Sequence, residues 1–171
     1  MKNYELKAHC ADPAKAEEAA RALGALWQWT RVQRDTYFHT SHGRLKLRQV
    51  EGEKTELIAY RRPAMANARS SDYEIFSTPD DDRLRSLLTA ALDVAGVVEK
   101  TRTLYLWKNI RIHLDRVVTL GSFIEFEAVL HTDEEAANAP GDLFHLQSIF
   151  AIQPEHLIGE GYYELLTKKQ F

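Results

Sequence analysis

The chain has 171 residues, 44% of them hydrophobic and 27% charged, with a formal net charge of −3. That composition is globular rather than disordered, fits one domain over residues 1–171 with a sizeable core, and lacks the basic balance expected of a nucleic-acid partner. The single cysteine, Cys10, cannot form an internal disulfide and reads as a small buried hydrophobe. No apolar run reaches the roughly 18 residues of a membrane span. The charged start "MKNYELK" lacks a signal-peptide core, so a cytoplasmic protein with no membrane partner is expected.

In chain order, "NYELKAH" (3–9) predicts a first strand with Asn3, Glu5 and Lys7 on one face and Tyr4 and Leu6 on the other. Asp12 as N-cap, Pro13 at the first helical position and Gly24 as a stop predict a helix over "DPAKAEEAARALGAL". Trp27 and Trp29 are expected to pack where that helix meets the sheet, unless an exposed one reaches a base. Strand patterns follow at "RDTYFHT" (34–40), "GRLKLRQV" (43–50) and "TELIAYRR" (55–62), joined by turns short enough for hairpins. "PAMANARSS" (63–71) reads as a flexible loop before the strand "SDYEIFS" (71–77).

A second helix is predicted over "PDDDRLRSLLTAAL" (79–92), with Asp80, Asp81 and Asp82 at its positive end and Leu84, Leu87, Leu88 and Leu92 as its buried stripe. Strands are then expected at "VVEKTRTLYLW" (97–107), "IRIHLDRVV" (110–118) and "SFIEFEAVL" (122–130). "HTDEEAANAP" (131–140) reads as a polar connector and "GDLFHLQSIFAI" (141–152) as a third helix, ended by Pro154. Consecutive strands outnumber helices, which favours an antiparallel sheet with helices attached.

The strands concentrate charge on one face. Arg44, Lys46 and Arg48 alternate with Leu45 and Leu47, Lys100 and Arg102 share a face, Arg111, His113 and Asp115 oppose Ile112 and Leu114, and Glu125 and Glu127 oppose Phe126. Two readings remain: an open sheet with one wet face, or a sheet closed into a barrel with its charges inside. A merely solvated face should mix neutral polar residues with opposed charges; here a large cationic set accompanies a small acidic one, Glu5, Asp115, Glu125 and Glu127. A charged interior needs a guest that neutralises it. A polyanion bridged to the carboxylates by magnesium or manganese meets that need, and a triphosphate is such a polyanion. His113 reads as a wall residue, His9, His39 and His42 as solvated, and Tyr60 as core or wall.

On these residues the chain resembles the CYTH superfamily, named for class IV adenylyl cyclases and thiamine triphosphatases. The family hallmark is an E-x-E-x-K first strand, matched here by Glu5 and Lys7 with Asn3 at the first Glu. "RDTYF" resembles the second strand, "LKLR" the arginine-rich third, "EKTRTLYL" the K-x-R segment, "IRIHLDRVVTLGSFIEFE" the late hairpin, and "GYYELL" the closing S-Y-x-x-L-L, with Tyr162 at its tyrosine. The resemblance implies an α+β fold: a closed antiparallel β-barrel, the triphosphate tunnel, with helices packed outside.

It assigns phosphate contacts to Lys7, Lys46, Arg48, Lys100, Arg102, Arg111 and one of Arg61 and Arg62, catalytic roles to Lys7 and Arg102, and Mg2+ or Mn2+ to Glu5, Asp115, Glu125 and Glu127. The implied activity is a metal-dependent adenylyl cyclase making cyclic AMP and pyrophosphate. The alternatives are an inorganic or thiamine triphosphatase, or a non-catalytic nucleotide- or polyphosphate-binding module. The expected partner is a small molecule carrying a triphosphate, and a homodimer is left open.

Overall fold

Alternating apolar and polar side chains carry eight segments of the chain into strands, and the computed structural model describes residues 2–61 and 72–169. The strands are β1 (Lys2–His9), β2 (Leu26–Phe38), β3 (Arg44–Val50), β4 (Thr55–Arg61), β5 (Asp72–Thr78), β6 (Val94–Trp107), β7 (Ile110–Val117) and β8 (Gly121–Leu130). The helices are α1 (Pro13–Ala22), α2 (Asp81–Leu92), α3 (Asp133–Ile149) and α4 (Tyr162–Lys169). All eight strands form one antiparallel sheet in the order β1-β8-β7-β6-β2-β3-β4-β5. Among the described residues no helix is long and apolar enough to cross a membrane.

The apolar face of β6, β7 and β8 (Tyr105, Ile110, Ile112, Leu114, Ile124 and Phe126) is buried under Ala16 and Ala20 of α1 and Leu143 and Leu146 of α3. Asp12 caps α1 by accepting from the Lys15 N–H at 3.2 Å, as its sequence predicts. A second cluster closes one end of the sheet: Tyr162 of α4 packs with Tyr37, Val98, Val117 and Phe123, and Tyr163 stacks on Tyr37 at 4.8 Å.

The sheet is open. β1 and β5 are its edges and do not pair with each other among the described residues, in place of the closed barrel expected from the sequence. Part of the outer edge of β1 is taken by the C-terminal segment: Ala8 bridges Leu157, and the Ile158 N–H donates to the Lys7 carbonyl at 2.9 Å. Those contacts satisfy backbone groups on an edge that another strand would otherwise use.

Three local expectations also change. β2 begins at Leu26 rather than Arg34, because an extra residue between Trp27 and Trp29 forms a β-bulge that breaks the alternation. The supposed connector "HTDEEAANAP" is the front of α3. A capping box joins Thr132 to Glu135, three acids occupy the first turn, and Pro140 is accommodated inside the helix. The leucine stripe expected to be buried on α2 is not: Leu84, Leu88 and Leu92 are only half-buried and Leu87 is 61% exposed. The loop expected over "PAMANARSS" lies outside the described residues, and α4 was not among the expected helices.

Gly96 in β6 is the floor under α4: a Cβ there would lie 2.7 Å from Cε2 of Tyr163, whose ring is already held against Tyr37. Gly96→Ala is therefore expected to loosen α4 at a cost of about 1–3 kcal/mol, read as a lower urea midpoint. An unchanged midpoint would mean that α4 does not depend on this contact.

Candidate active site

All eight strands contribute side chains to one cavity of about 810 Å³, so the charged face of the sheet is its concave face. Lys46, Arg48, Arg102 and Arg111 line it from one side of the charge balance, and Glu5 and Glu127 from the other. The alternation in the sequence thus places these groups together although β1 and β3 lie far apart in the sheet order.

Two enclosed carboxylates organise the cations. Asp115 on β7, with its side chain 0% exposed, accepts from Arg102 Nε and Nη2 at 2.6 Å each, from Lys100 Nζ at 3.1 Å and from the Tyr162 hydroxyl at 2.8 Å. Burial alone would raise its pKa, but Arg102 and Lys100 outweigh burial and hold the carboxyl well below the usual range. Burial and Asp115 push the Tyr162 hydroxyl far up, so it stays a donor. Asp35 on β2 plays the same part for β3, accepting from Arg48 Nε at 3.0 Å, Arg48 Nη2 at 3.3 Å and Lys46 Nζ at 3.1 Å, with Gln33 alongside at 3.2 Å. Against the effect of burial, Arg48 and Lys46 keep it ionised. Burial and Arg48 push the Lys46 ammonium down to about 7, and burial and Arg102 push Lys100 down to about 8.

The remaining acids lie on β1 and β8. Glu125 faces Lys7 in register, with Lys7 Nζ at 3.5 Å and Arg102 Nη2 at 2.8 Å. Burial opposes its ionisation, but Lys7, His113 and Arg102 together hold its carboxyl well below the usual range. His113 stands 3.6 Å from Glu125, longer than a hydrogen bond, and burial and Arg102 push its imidazole toward the neutral form. Glu127 faces Glu5 in register and accepts from Asn3 Nδ2 at 2.7 Å and Arg111 Nη1 at 3.3 Å. Asn3 is buried, and its Oδ1 has no hydrogen-bond donor.

Lys46, Arg48, Arg102, Arg111, Glu5 and Glu127 therefore meet around the cavity. Lys7, Lys100, Asp115 and Glu125 are not among the side chains that line it. Lys7 and Lys100 lie against the Tyr162 ring, 4.5 and 4.9 Å from its centroid. Arg61 is the last residue of β4, and Arg62 lies outside the described residues. Tyr60 is wall rather than core. Asp35 is the organising residue that the sequence reading missed. The available signal was an acid on the same strand face as Gln33 and Tyr37 in "QRDTYF", opposite a strand rich in Lys and Arg. Among the described residues no three His, Cys, Asp or Glu side chains gather closely enough to hold a metal by themselves.

A curved antiparallel sheet with fixed cations on its concave face and carboxylates at its rim is a scaffold for a polyanion. The CYTH domain matches residues 1–162, and the chain belongs to that family. Solved structures share the fold. The PH1012 protein of Pyrococcus horikoshii is 23% identical over 96% of this chain and 99% of its own, with a TM-score of 0.84. A candidate adenylate cyclase from Vibrio parahaemolyticus is 18% identical over 98% of each chain, with a TM-score of 0.82. A candidate adenylyl cyclase from Hippeastrum, described as revealing a dominant triphosphatase activity, is 16% identical over 99% of this chain and 96% of its own, with a TM-score of 0.68. No curated protein sequence matches.

Asp115→Asn leaves Lys100 buried without its counterion and Arg102 with Glu125 alone, and breaking such a buried pair costs about 3–5 kcal/mol. Because the folded carboxyl is held low, its contribution is present above an unfolded pKa of about 4 and is lost as pH falls below it. Urea unfolding from neutral to acid pH should show the variant less stable at pH 7 and less steeply dependent on acid. Parallel curves would remove Asp115 from this role.

Proposed function

We propose that this protein is a metal-dependent enzyme acting on a triphosphate, and that its reaction is that of a class IV-type adenylyl cyclase, ATP to cyclic AMP and pyrophosphate. The observation that carries the reading is the set of cations on one concave face: Lys46, Arg48, Arg102 and Arg111 on the cavity wall, with Lys7 and Lys100 behind them. Charge-assisted hydrogen bonds from guanidinium and ammonium groups are the strong contacts available to phosphate. The domain's length would be given to a single CYTH unit over residues 1–171.

The side chains present fit a hard divalent cation. Magnesium is usually held by one or two carboxylates together with substrate phosphates. Glu5 and Glu127 form an acidic register pair on the cavity wall beside the donorless Oδ1 of buried Asn3. These three would hold Mg2+ or Mn2+, which when bound neutralises phosphate oxygens and polarises the reacting phosphorus–oxygen bond. Asp115 and Glu125, already engaged by Arg102, Lys100 and Lys7, are assigned to positioning those cations rather than to the metal.

In the proposed step the ribose 3′-oxygen bonds to the α-phosphorus, the bond from that phosphorus to the α,β-bridging oxygen breaks, and the hydroxyl proton passes to solvent. Negative charge grows on the departing pyrophosphate. Arg48 and Arg102, held in place by Asp35 and Asp115, stabilise that charge without having to reorganise. Hydrolysis is the second reading, favoured by the dominant triphosphatase activity described for the Hippeastrum protein. Water would then replace the 3′-oxygen.

Incubating the pure protein with manganese and either ATP or inorganic triphosphate, with products separated by chromatography, decides between the readings. Cyclic AMP supports the cyclase, orthophosphate alone the hydrolase, and tight binding without product a binding module. Arg48→Ala should lower kcat/KM by about 10- to 100-fold, the equivalent of one charge-assisted hydrogen bond, with the fold retained. Asn3→Glu should lower the manganese concentration needed for half-maximal activity, and an unchanged manganese requirement would take Asn3 out of the metal site.

Lys46 gives the reading a pH signature. A bound phosphate favours the ammonium and lifts its pKa from about 7 toward the ordinary value of about 10.4. Between those values the complex holds a proton that the free protein lacks, so binding takes up protons and weakens as pH rises through 7. Calorimetry of triphosphate binding at mildly alkaline pH, in buffers of different ionisation enthalpy, should show this uptake in wild type and less of it in Lys46→Met.

A further inference from the structure

The cavity is not charged throughout. Trp29, Leu104 and Val50 also line it, and Leu104 is the register partner of Trp29. Trp29 is half-buried but belongs to neither hydrophobic core cluster, so core packing does not account for its position. The bulge in β2 separates the two nearby tryptophans. Trp27 pairs in register with Tyr105 of the convex-side core and is itself 59% exposed, whereas Trp29 is set on the concave face. The Arg31 guanidinium lies 5.1 Å from the Trp29 ring centroid, a cation–π contact, and is tied by an ion pair to Glu53 in the turn after β3. The indole is thus braced from two strands before any ligand arrives.

Its distance from the cations is informative. Arg102, the register partner of Arg31, lies two residues, roughly 7 Å of strand, from Trp29, and Arg48, the register partner of Asp35, lies six residues, roughly 20 Å, from it. A phosphate chain with a sugar bridges a gap of that kind; inorganic triphosphate has nothing to place at the far end.

We propose that Trp29, braced by Arg31 and paired in register with Leu104, is the platform on which a planar base carried by the triphosphate stacks, so that the cavity is built for a nucleoside triphosphate over inorganic triphosphate. The inference rests on the triphosphate reading above and adds its organic half. The positive charge of Arg31 beside the indole favours a neutral base over a cationic ring such as that of thiamine.

The test is calorimetric binding of ATP, thiamine triphosphate and inorganic triphosphate, with manganese present, to wild type, Trp29→Leu, Trp29→Phe and Trp27→Leu. Base–aromatic stacking predicts that Trp29→Leu weakens ATP about 10- to 100-fold and leaves inorganic triphosphate unchanged. Trp29→Phe should retain most of the ATP affinity, and Trp27→Leu all of it. ATP should also quench tryptophan emission in Trp27→Leu, a reading that stands even if Trp29→Leu fails to fold. ATP affinity untouched by Trp29→Leu, equal losses for ATP and inorganic triphosphate, or thiamine triphosphate bound more tightly than ATP would each overturn the platform while leaving the triphosphate reading in place. Failure of wild type to bind any of the three would overturn both.

Discussion

The Asp115 carboxylate is the interaction on which the rest of the site depends. Arg102 and Lys100 are buried in the sheet, and removing each charge from water costs several kcal/mol unless an opposite charge with good geometry meets it. Asp115 meets both, with a two-pronged contact to Arg102, and takes the Tyr162 hydroxyl as well. One anion therefore joins β6 to β7 and both to α4. The helix that packs across one end of the sheet is held by the same group that fixes the cations, so its docking and the charge placement are a single structural fact. Asp35 repeats the device on β2, fixing Lys46 and Arg48 on β3.

Such counterions serve a binding site in two ways. They let the chain fold with its cations gathered before a ligand is present, and they lock long side chains into one geometry, so less freedom is lost on binding. They also compete with the ligand for the same donors. The balance differs around the cavity. Lys46 and Arg48 line the cavity with partly exposed side chains, whereas Lys100 is turned toward Asp115 and the Tyr162 ring. The cations of β3 can meet a phosphate directly. The field of Lys7 and Lys100 reaches it through a poorly solvated wall, where charges are weakly screened.

Period-two alternation made the charged face legible in the sequence, and four of the cations on it, with Glu5 and Glu127, do converge on one cavity. Alternation gives the face of each strand but not what each charge touches. For that reason four acids looked alike in sequence, while in space Asp115 and Glu125 are surrounded by the chain's own cations and Glu5 and Glu127 lie on the open wall. Asp35 escaped notice because its partners are on the next strand, eleven and thirteen residues away. The start of β2 was hidden by a bulge, whose extra residue destroys the pattern that reveals a strand. The front of α3 was hidden by a polar composition, although its capping box was there to read. Sheet closure was not decidable from any strand's own pattern, since it depends on what reaches the edge of β1, and the segment at Leu157 and Ile158 arrives there from far along the chain.

The two ends of the cavity differ, and that difference gives it a direction. Beyond the cavity lining, α4 seats Tyr162 and Tyr163 against one end of the sheet, with the cations most deeply enclosed beside it. At the other, Trp29, Arg31 and the turn bearing Glu53 surround a wall that is part apolar and part charged. Potential rises toward the enclosed cations because low-dielectric walls focus it. On the proposed reading, a ligand with its charge at one end and a planar group at the other would be drawn in charge first and come to rest with the planar group at the tryptophan. The deepest phosphate would then lie nearest the cations held by Asp115, and the phosphate next to the organic group nearest the carboxylates of β1 and β8. Reaction at that inner phosphate, with the outer two already held as a leaving group, is the arrangement a cyclase needs; reaction at the deepest phosphate is the one a hydrolase needs. The same wall can support either, and the choice falls to whichever oxygen, sugar or water, the tryptophan end allows near the reacting phosphorus.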